Sequence, residues 1–128
     1  MSVLVKNGKF GDAGFDGFEI SNDLDREELR AIARREHAIA IPFPSFADGR
    51  GFSIAQRLRR LGFTGTLRAR GHVLADQYPL ALRSGFDEVE ISDELAERQG
   101  EAQWLEAFSR INNTYLERLK QGRVADAA

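Results

Sequence analysis

The residue types best suited to chemistry sit in one short segment, Pro42-Phe43-Pro44-Ser45-Phe46-Ala47-Asp48-Gly49-Arg50-Gly51-Phe52-Ser53. Gly49 and Gly51 let backbone N–H groups come close to a bound group. A helix beginning at Ser53 would add a partial positive charge and free donors, which suits an anion. Arg50 can then close over the anion with a two-pronged contact. Arg68, Arg70 and His72 belong to the end of the neighbouring predicted strand. With Asp48 and Gln77 they complete a candidate ligand-binding set of Asp48, Gly49, Arg50, Gly51, Ser53, Arg68, Arg70, His72 and Gln77. The same segment also reads as a plain strand-to-helix connection, with Asp48 making a local turn and Arg50 facing water. It is not a P-loop, because no Gly-Lys-Ser/Thr follows, and it lacks the third glycine of a dinucleotide fingerprint.

Catalysis has less to stand on. Asp48 and Asp76 are the candidate general bases, but Asp76 reads most simply as a helix cap, and no spacing fixes an acid–base pair. His37 and His72 are the two histidines of the chain. No His-x-x-x-His or carboxylate cluster offers metal-ligand spacing, and no nucleophile elbow is present. No metal or cofactor is therefore expected, and whether the chain is an enzyme stays open. Arg57, Arg59 and Arg60 form a basic run on a predicted helix, read as a solvated face or a docking patch.

These residues need a scaffold, and the hydrophobic pattern supplies one. Asn7-Gly8 between Val3–Val5 and Lys9–Phe10 predicts a short N-terminal hairpin. Strand-like runs then begin near Gly17, Ala38, Thr66 and Glu88. Predicted helices follow them over Asp23–Arg35, Ser53–Leu61, Asp76–Arg83 and Asp93–Lys120, the last weakened at Gly100. Ser53 and Gln56 have capping-box spacing. Ser21, Asp76 and Ser92 are further caps, and Gly62, Gly85 and Gly122 mark helix ends. Trp104, Phe108, Ile111, Tyr115 and Leu119 form an apolar stripe along the last helix.

Alternation along the strands separates two faces. Phe18, Ile20, Ile39, Ile41, Leu67, Ala69, Val89 and Ile91 form an apolar set. Glu19, Ala38, Ala40, Arg68, Arg70, Glu88 and Glu90 form a polar or small set. A doubly wound sheet buries both faces and reads as continuous apolar runs. The expected fold is therefore α/β with a singly wound, mostly parallel sheet of about four βα units, half β/α-barrel-like, plus the hairpin. Its charged second face would line a pocket, form a homodimer interface, or stay wet with arginine and glutamate paired across strands.

The chain of 128 residues suits one domain, placed at residues 1–122 with a tail at 123–128. Hydrophobic residues are 42% and charged residues 30%, an ordinary globular balance. The net charge of −2 argues against a general nucleic-acid binder. With no cysteine, thiol redox chemistry, thiolate metal sites and disulfides are excluded. No apolar run reaches signal-peptide or membrane-span length, so a cytoplasmic protein without membrane partners is expected.

Residues Ala47 to Ile91 carry Asp48-Gly49-Arg50-Gly51-Phe52-Ser53, Leu67-Arg68-Ala69, Asp76-Gln77 and Arg83-Ser84-Gly85-Phe86. In these pieces the chain resembles an uncharacterised bacterial family, domain-of-unknown-function family 934. Such families are usually encoded beside genes for assimilatory sulfite reductase and phosphoadenylyl-sulfate reductase. The resemblance thus implies a role in sulfate or sulfite assimilation. His72 departs from the acidic residue common at that position. An oxidoreductase label borne by some members finds no support in the residues, which show no nicotinamide or flavin motif.

Three readings follow. The first is an accessory or regulatory protein of sulfate or sulfite assimilation that binds a small oxyanion or nucleotide sulfate. The second is an interaction module docking on sulfite reductase or a related enzyme. The third is an enzyme acting on a phosphorylated or sulfated small molecule.

Overall fold

Asn7 and Gly8 have φ angles of 54° and 78°, the two positive values that a two-residue hairpin turn demands. They join β1 (Ser2–Lys6) to β2 (Lys9–Asp12), with Lys6 opposite Lys9. The computed structural model describes residues 1–111. Beyond the hairpin come β3 (Phe18–Glu19), α1 (Arg26–Arg35), β4 (Ala38–Phe43), α2 (Arg50–Arg60) and β5 (Thr66–Gly71). A 3-10 turn at Ala75–Gln77 leads into α3 (Tyr78–Ser84), then β6 (Glu88–Ser92), α4 (Asp93–Arg98) and α5 (Glu101–Ser109).

The six strands form one mixed sheet in the order β2-β1-β6-β5-β4-β3. β3, β4, β5 and β6 run parallel, side by side in chain order. β1 closes the β6 edge antiparallel, with Val3 opposite Ile91 and Leu4 opposite Glu90. α1 touches α2, α2 touches α3, and α3 touches α5.

The apolar set of the strands is buried as its alternation requires except Phe18, which stays 38% exposed on the edge strand β3. Ile39, Ile41, Leu67, Ala69, Val89 and Ile91 share one core with Leu29 and Ile32 of α1, Ile54 and Leu58 of α2, and Tyr78 and Leu82 of α3. Burying each large aliphatic side chain stabilises by about 1.5–3 kcal/mol.

Several boundaries differ from the sequence pattern. α1 starts at Arg26 and is capped by Asp25, whose side chain accepts from Glu28 N while Glu28 reaches back to Asp25 N. Ser21 instead hydrogen-bonds Asp23. α2 starts at Arg50, three residues ahead of the expected Ser53, so the Ser53–Gln56 capping box does not form. The reason is local. Asp48 accepts from Arg50 N at 3.1 Å, which lets Gly49 serve as the cap. Asp76 is not a helix cap either. It lies in the 3-10 turn with its side chain 87% exposed, 3.6 Å from Arg110.

The last helix is broken rather than weakened. Gly100 separates α4 from α5, and Trp104 Nε1 donates to Gln99 O across the break. Ser92 caps α4 through Leu95 N, and Gly62 and Gly85 have the expected positive φ. Tyr115, Leu119, Gly122 and the tail at 123–128 lie outside the described residues.

Candidate functional site

The loop after β4 is built from contacts within itself and with the loop after β5. Gly51 sits against the Phe43 ring so closely that an added Cβ would lie 2.4 Å from it. That contact seats the start of α2 on β4. Phe52 packs edge-on to Phe43 at 5.0 Å between centroids. Ser53 and Gly49 are exposed. The Asp48 carboxylate receives Arg50 Nε at 3.0 Å and Nη2 at 2.8 Å, besides the backbone N–H. The Arg50 hydrogen bonds hold Asp48 below the usual carboxylate range, and Asp48 in turn raises Arg50. Asp23 adds a second negative field at Arg50. Arg50 is 61% exposed, but its charge is matched two residues away.

His72 and Gln77 tie the two loops together. His72 Nδ1 lies 3.1 Å from Phe43 O, and the ring meets Phe46 edge-on at 4.9 Å. A carbonyl only accepts, so Nδ1 carries the proton and a neutral ring presents Nε2 as an acceptor. Gln77 Oε1 accepts from Leu74 N at 2.9 Å, and its Nε2 donates to Phe46 O at 3.2 Å. Both groups of this amide are occupied in holding the connection. Asn22 joins the same end of the sheet by donating to Pro42 O at 3.2 Å.

Arg68 and Arg70 lie on the other face of β5, as alternation predicts, and there the ions pair within the chain. Arg68 is 2% exposed and Glu88 8%, so this face is not wet at its centre. Arg68 Nη2 meets Glu88 at 2.7 Å, and Nη1 meets Glu90 at 2.9 Å. Arg70 meets Glu90 at 3.0 Å and Glu19 at 2.7 Å. Burial pushes the Glu90 carboxyl up, but bonds from Ser2, Arg68 and Arg70 outweigh it and leave the pKa below its ordinary value. Burial likewise opposes the Arg70 charge, and bonds to Glu19 and Glu90 more than restore it.

The cover over this network is the Gly11–Gly17 loop. Ala13 O and Gly14 O accept from Arg68 at 2.8 and 3.2 Å. The Phe15 ring lies 4.7 Å from the Arg68 guanidinium and 5.0 Å from that of Arg70. Sequence reasoning missed Phe15 and Ser2. A lone aromatic inside a glycine-rich loop, upstream of a face carrying arginines, was the available signal.

The structure thus gathers Asp48, Arg50, His72 and Gln77 around adjoining loops, with Gly49, Gly51 and Ser53 at the start of α2. Arg68 and Arg70 are engaged with Glu88, Glu90 and Glu19. Arg50 and Arg68 have no partner in common. Among the described residues no three His, Asp or Glu side chains group as a metal site. In the basic run, Arg59 turns inward to Gly85 O, Phe63 O, Gly65 O and Asp87. Arg57 and Arg60 stay exposed. Among the described residues no helix is long and apolar enough to cross a membrane.

No curated protein and no solved structure matches the chain. A family model does match, that of "Bacterial protein of unknown function (DUF934)", over residues 13–125. The matched region begins at the loop that covers the arginines and takes in both strand-end loops, and the chain belongs to this bacterial family.

Proposed function

We propose that this protein is an accessory component of sulfate or sulfite assimilation that acts by docking on sulfite reductase or a related enzyme. One observation carries the preference for docking over oxyanion capture. The positive charges that an oxyanion would need at the strand ends are already matched inside the chain, Arg50 by Asp48 and Arg68 and Arg70 by Glu88, Glu90 and Glu19. A further anion there would meet carboxylates. The sulfur context is supported by the family resemblance carried by Asp48–Ser53 and Arg83–Phe86.

Exposed apolar side chains favour the docking reading. Leu80 on α3 and Leu105 on α5 are 46% and 39% exposed, on two helices that touch. We also infer that β3 to β6 are wound in a single sense, half β/α-barrel-like, with their helices in one layer. The chain-order strand neighbours and the serial helix contacts support that reading. It would leave the opposite face to the Phe15 loop.

Co-elution of the purified protein with sulfite reductase or phosphoadenylyl-sulfate reductase tests the proposal. Retention of either enzyme, lost on Leu80→Glu with Leu105→Glu, is expected. Elution apart from both enzymes at micromolar concentrations would overturn it.

A further inference from the structure

Between α1 and α2 lies a groove of about 380 Å³ lined by Arg26, Leu29, Arg57, Arg60 and Leu61. It is apart from the strand-end loops and from the charged sheet face. Among the described residues none of these three arginines has a carboxylate within ion-pairing distance. Among the described residues Arg35, Arg50, Arg59, Arg68, Arg70 and Arg110 pair with acids, whereas Arg30, Arg34, Arg83 and Arg98 are in no ion pair either, so it is the gathering of three such arginines around one groove that marks the place.

Helix capping explains part of the arrangement. Arg57 and Arg60 stand in the last turn of α2, where the helix dipole favours cations. Arg26 opens α1, at the end where the dipole opposes a cation. The capping carboxylates of α1 are engaged with backbone N–H groups, Asp25 with Glu28 N and Glu28 with Asp25 N. Three like charges around one groove repel each other, so their gathering does nothing for folding by itself. Guanidinium groups are the side chains best matched to phosphate and sulfate oxygens. The groove falls in the size range of small-molecule sites, and the half-buried Leu61 gives it an apolar part.

We propose that this groove binds an organic phosphate or sulfate ester, with the ester oxygens held by Arg26, Arg57 and Arg60 and the apolar part of the ligand against Leu61. The size and Leu61 favour an ester with an organic body over a bare inorganic ion. The site is independent of the docking reading, which stands or falls on co-elution.

Isothermal titration with adenosine 5′-monophosphate, adenosine and hexaglutamate tests it on the full chain. The monophosphate is expected to bind at low salt and to weaken as salt rises, while adenosine gives no heat. Arg57→Gln with Arg60→Gln should weaken the monophosphate at least tenfold, with Arg83→Gln unchanged. A thermal melt checks that the double variant is folded; if it is not, Arg26→Gln gives the same readout from the other helix. Absence of monophosphate binding, equal binding of adenosine, or binding indifferent to the arginine variants would each overturn the proposal. Tighter binding of hexaglutamate than of the monophosphate would also overturn it, in favour of an acidic protein segment.

Discussion

Glu90 Oε1 on β6 lies 2.9 Å from Arg68 Nη1 and 3.0 Å from Arg70 Nε, so one carboxylate oxygen bridges two guanidinium groups of the neighbouring strand β5. Its other oxygen accepts from Ser2 Oγ at 2.9 Å, which carries the bridge on to β1. Glu90→Gln removes the charge while keeping the shape. Breaking a buried pair from one side typically costs about 3–5 kcal/mol, and the exposed part of Arg70 and the remaining Glu88 partner place this variant near the lower end, about 3 kcal/mol. Urea denaturation measures it, and a loss under 1 kcal/mol would contradict the assigned role.

The same carboxylate gives the fold an acid sensitivity. Its folded-state pKa lies below the ordinary glutamate value of 4.5, so the unfolded chain takes up the proton first. The stabilisation is therefore complete above the ordinary value and is lost as pH falls through the lower, folded value. Thermal melts of the native protein should drop over that window. The drop should be shallower in Glu90→Gln, and parallel curves for the two proteins would argue against it.

Phe15→Ala should loosen the cover over Arg68 and Arg70. Two cation–π contacts, each worth about 0.5–1 kcal/mol where partly exposed, are lost together with the ring's packing. Faster proteolysis within residues 11–17 is the expected signature. Unchanged cleavage would mean that the loop is held by its backbone bonds to Arg68 alone.

Gly51→Ala tests how α2 is seated. The new methyl would collide with the Phe43 ring, and overpacking of this kind costs about 1–3 kcal/mol. A melting temperature equal to that of the native protein would show that the ring moves aside freely.

Tyr78→Phe removes a hydroxyl that accepts from Gly8 N at 3.1 Å in a buried setting. The stranded N–H should cost about 1–3 kcal/mol. Hydrogen exchange at Gly8 should speed up in the variant, with a lower denaturation midpoint.

The two faces of β4, β5 and β6 were legible because alternation is a strict consequence of strand geometry, and Ile39, Leu67 and Val89 indeed lie opposite in character to Arg68 and Glu88. The Asn7-Gly8 turn was legible because few residue pairs accept two positive φ angles. The start of α2 was misplaced because Ser53 and Gln56 have the right spacing but compete with Asp48, whose carboxylate reaches Arg50 N first. The neutralisation of the arginines was not legible. Sequence spacing put Arg50 and Arg68 near one sheet end, but it did not reveal that Asp48 and Glu88 would each claim one of them. The cover formed by Phe15 depends on contacts more than fifty residues apart in the chain, such as Arg68 with Ala13, and no local pattern encodes those.

The tip of the first hairpin has a consequence for synthesis. Gly8 is wedged against α5, where even a methyl group would come within 3.1 Å of Leu105, Phe108 and Trp104 atoms, and its strand β1 needs β6 as a neighbour. Synthesis delivers Ser2–Asp12 more than eighty residues ahead of their partners on β6 and α5. The hairpin must therefore wait, with one strand edge uncovered, until residues near 108 have left the exit tunnel. Slowed translation over the second half of the message would lengthen that wait, and chaperone capture of the nascent chain would rise with it.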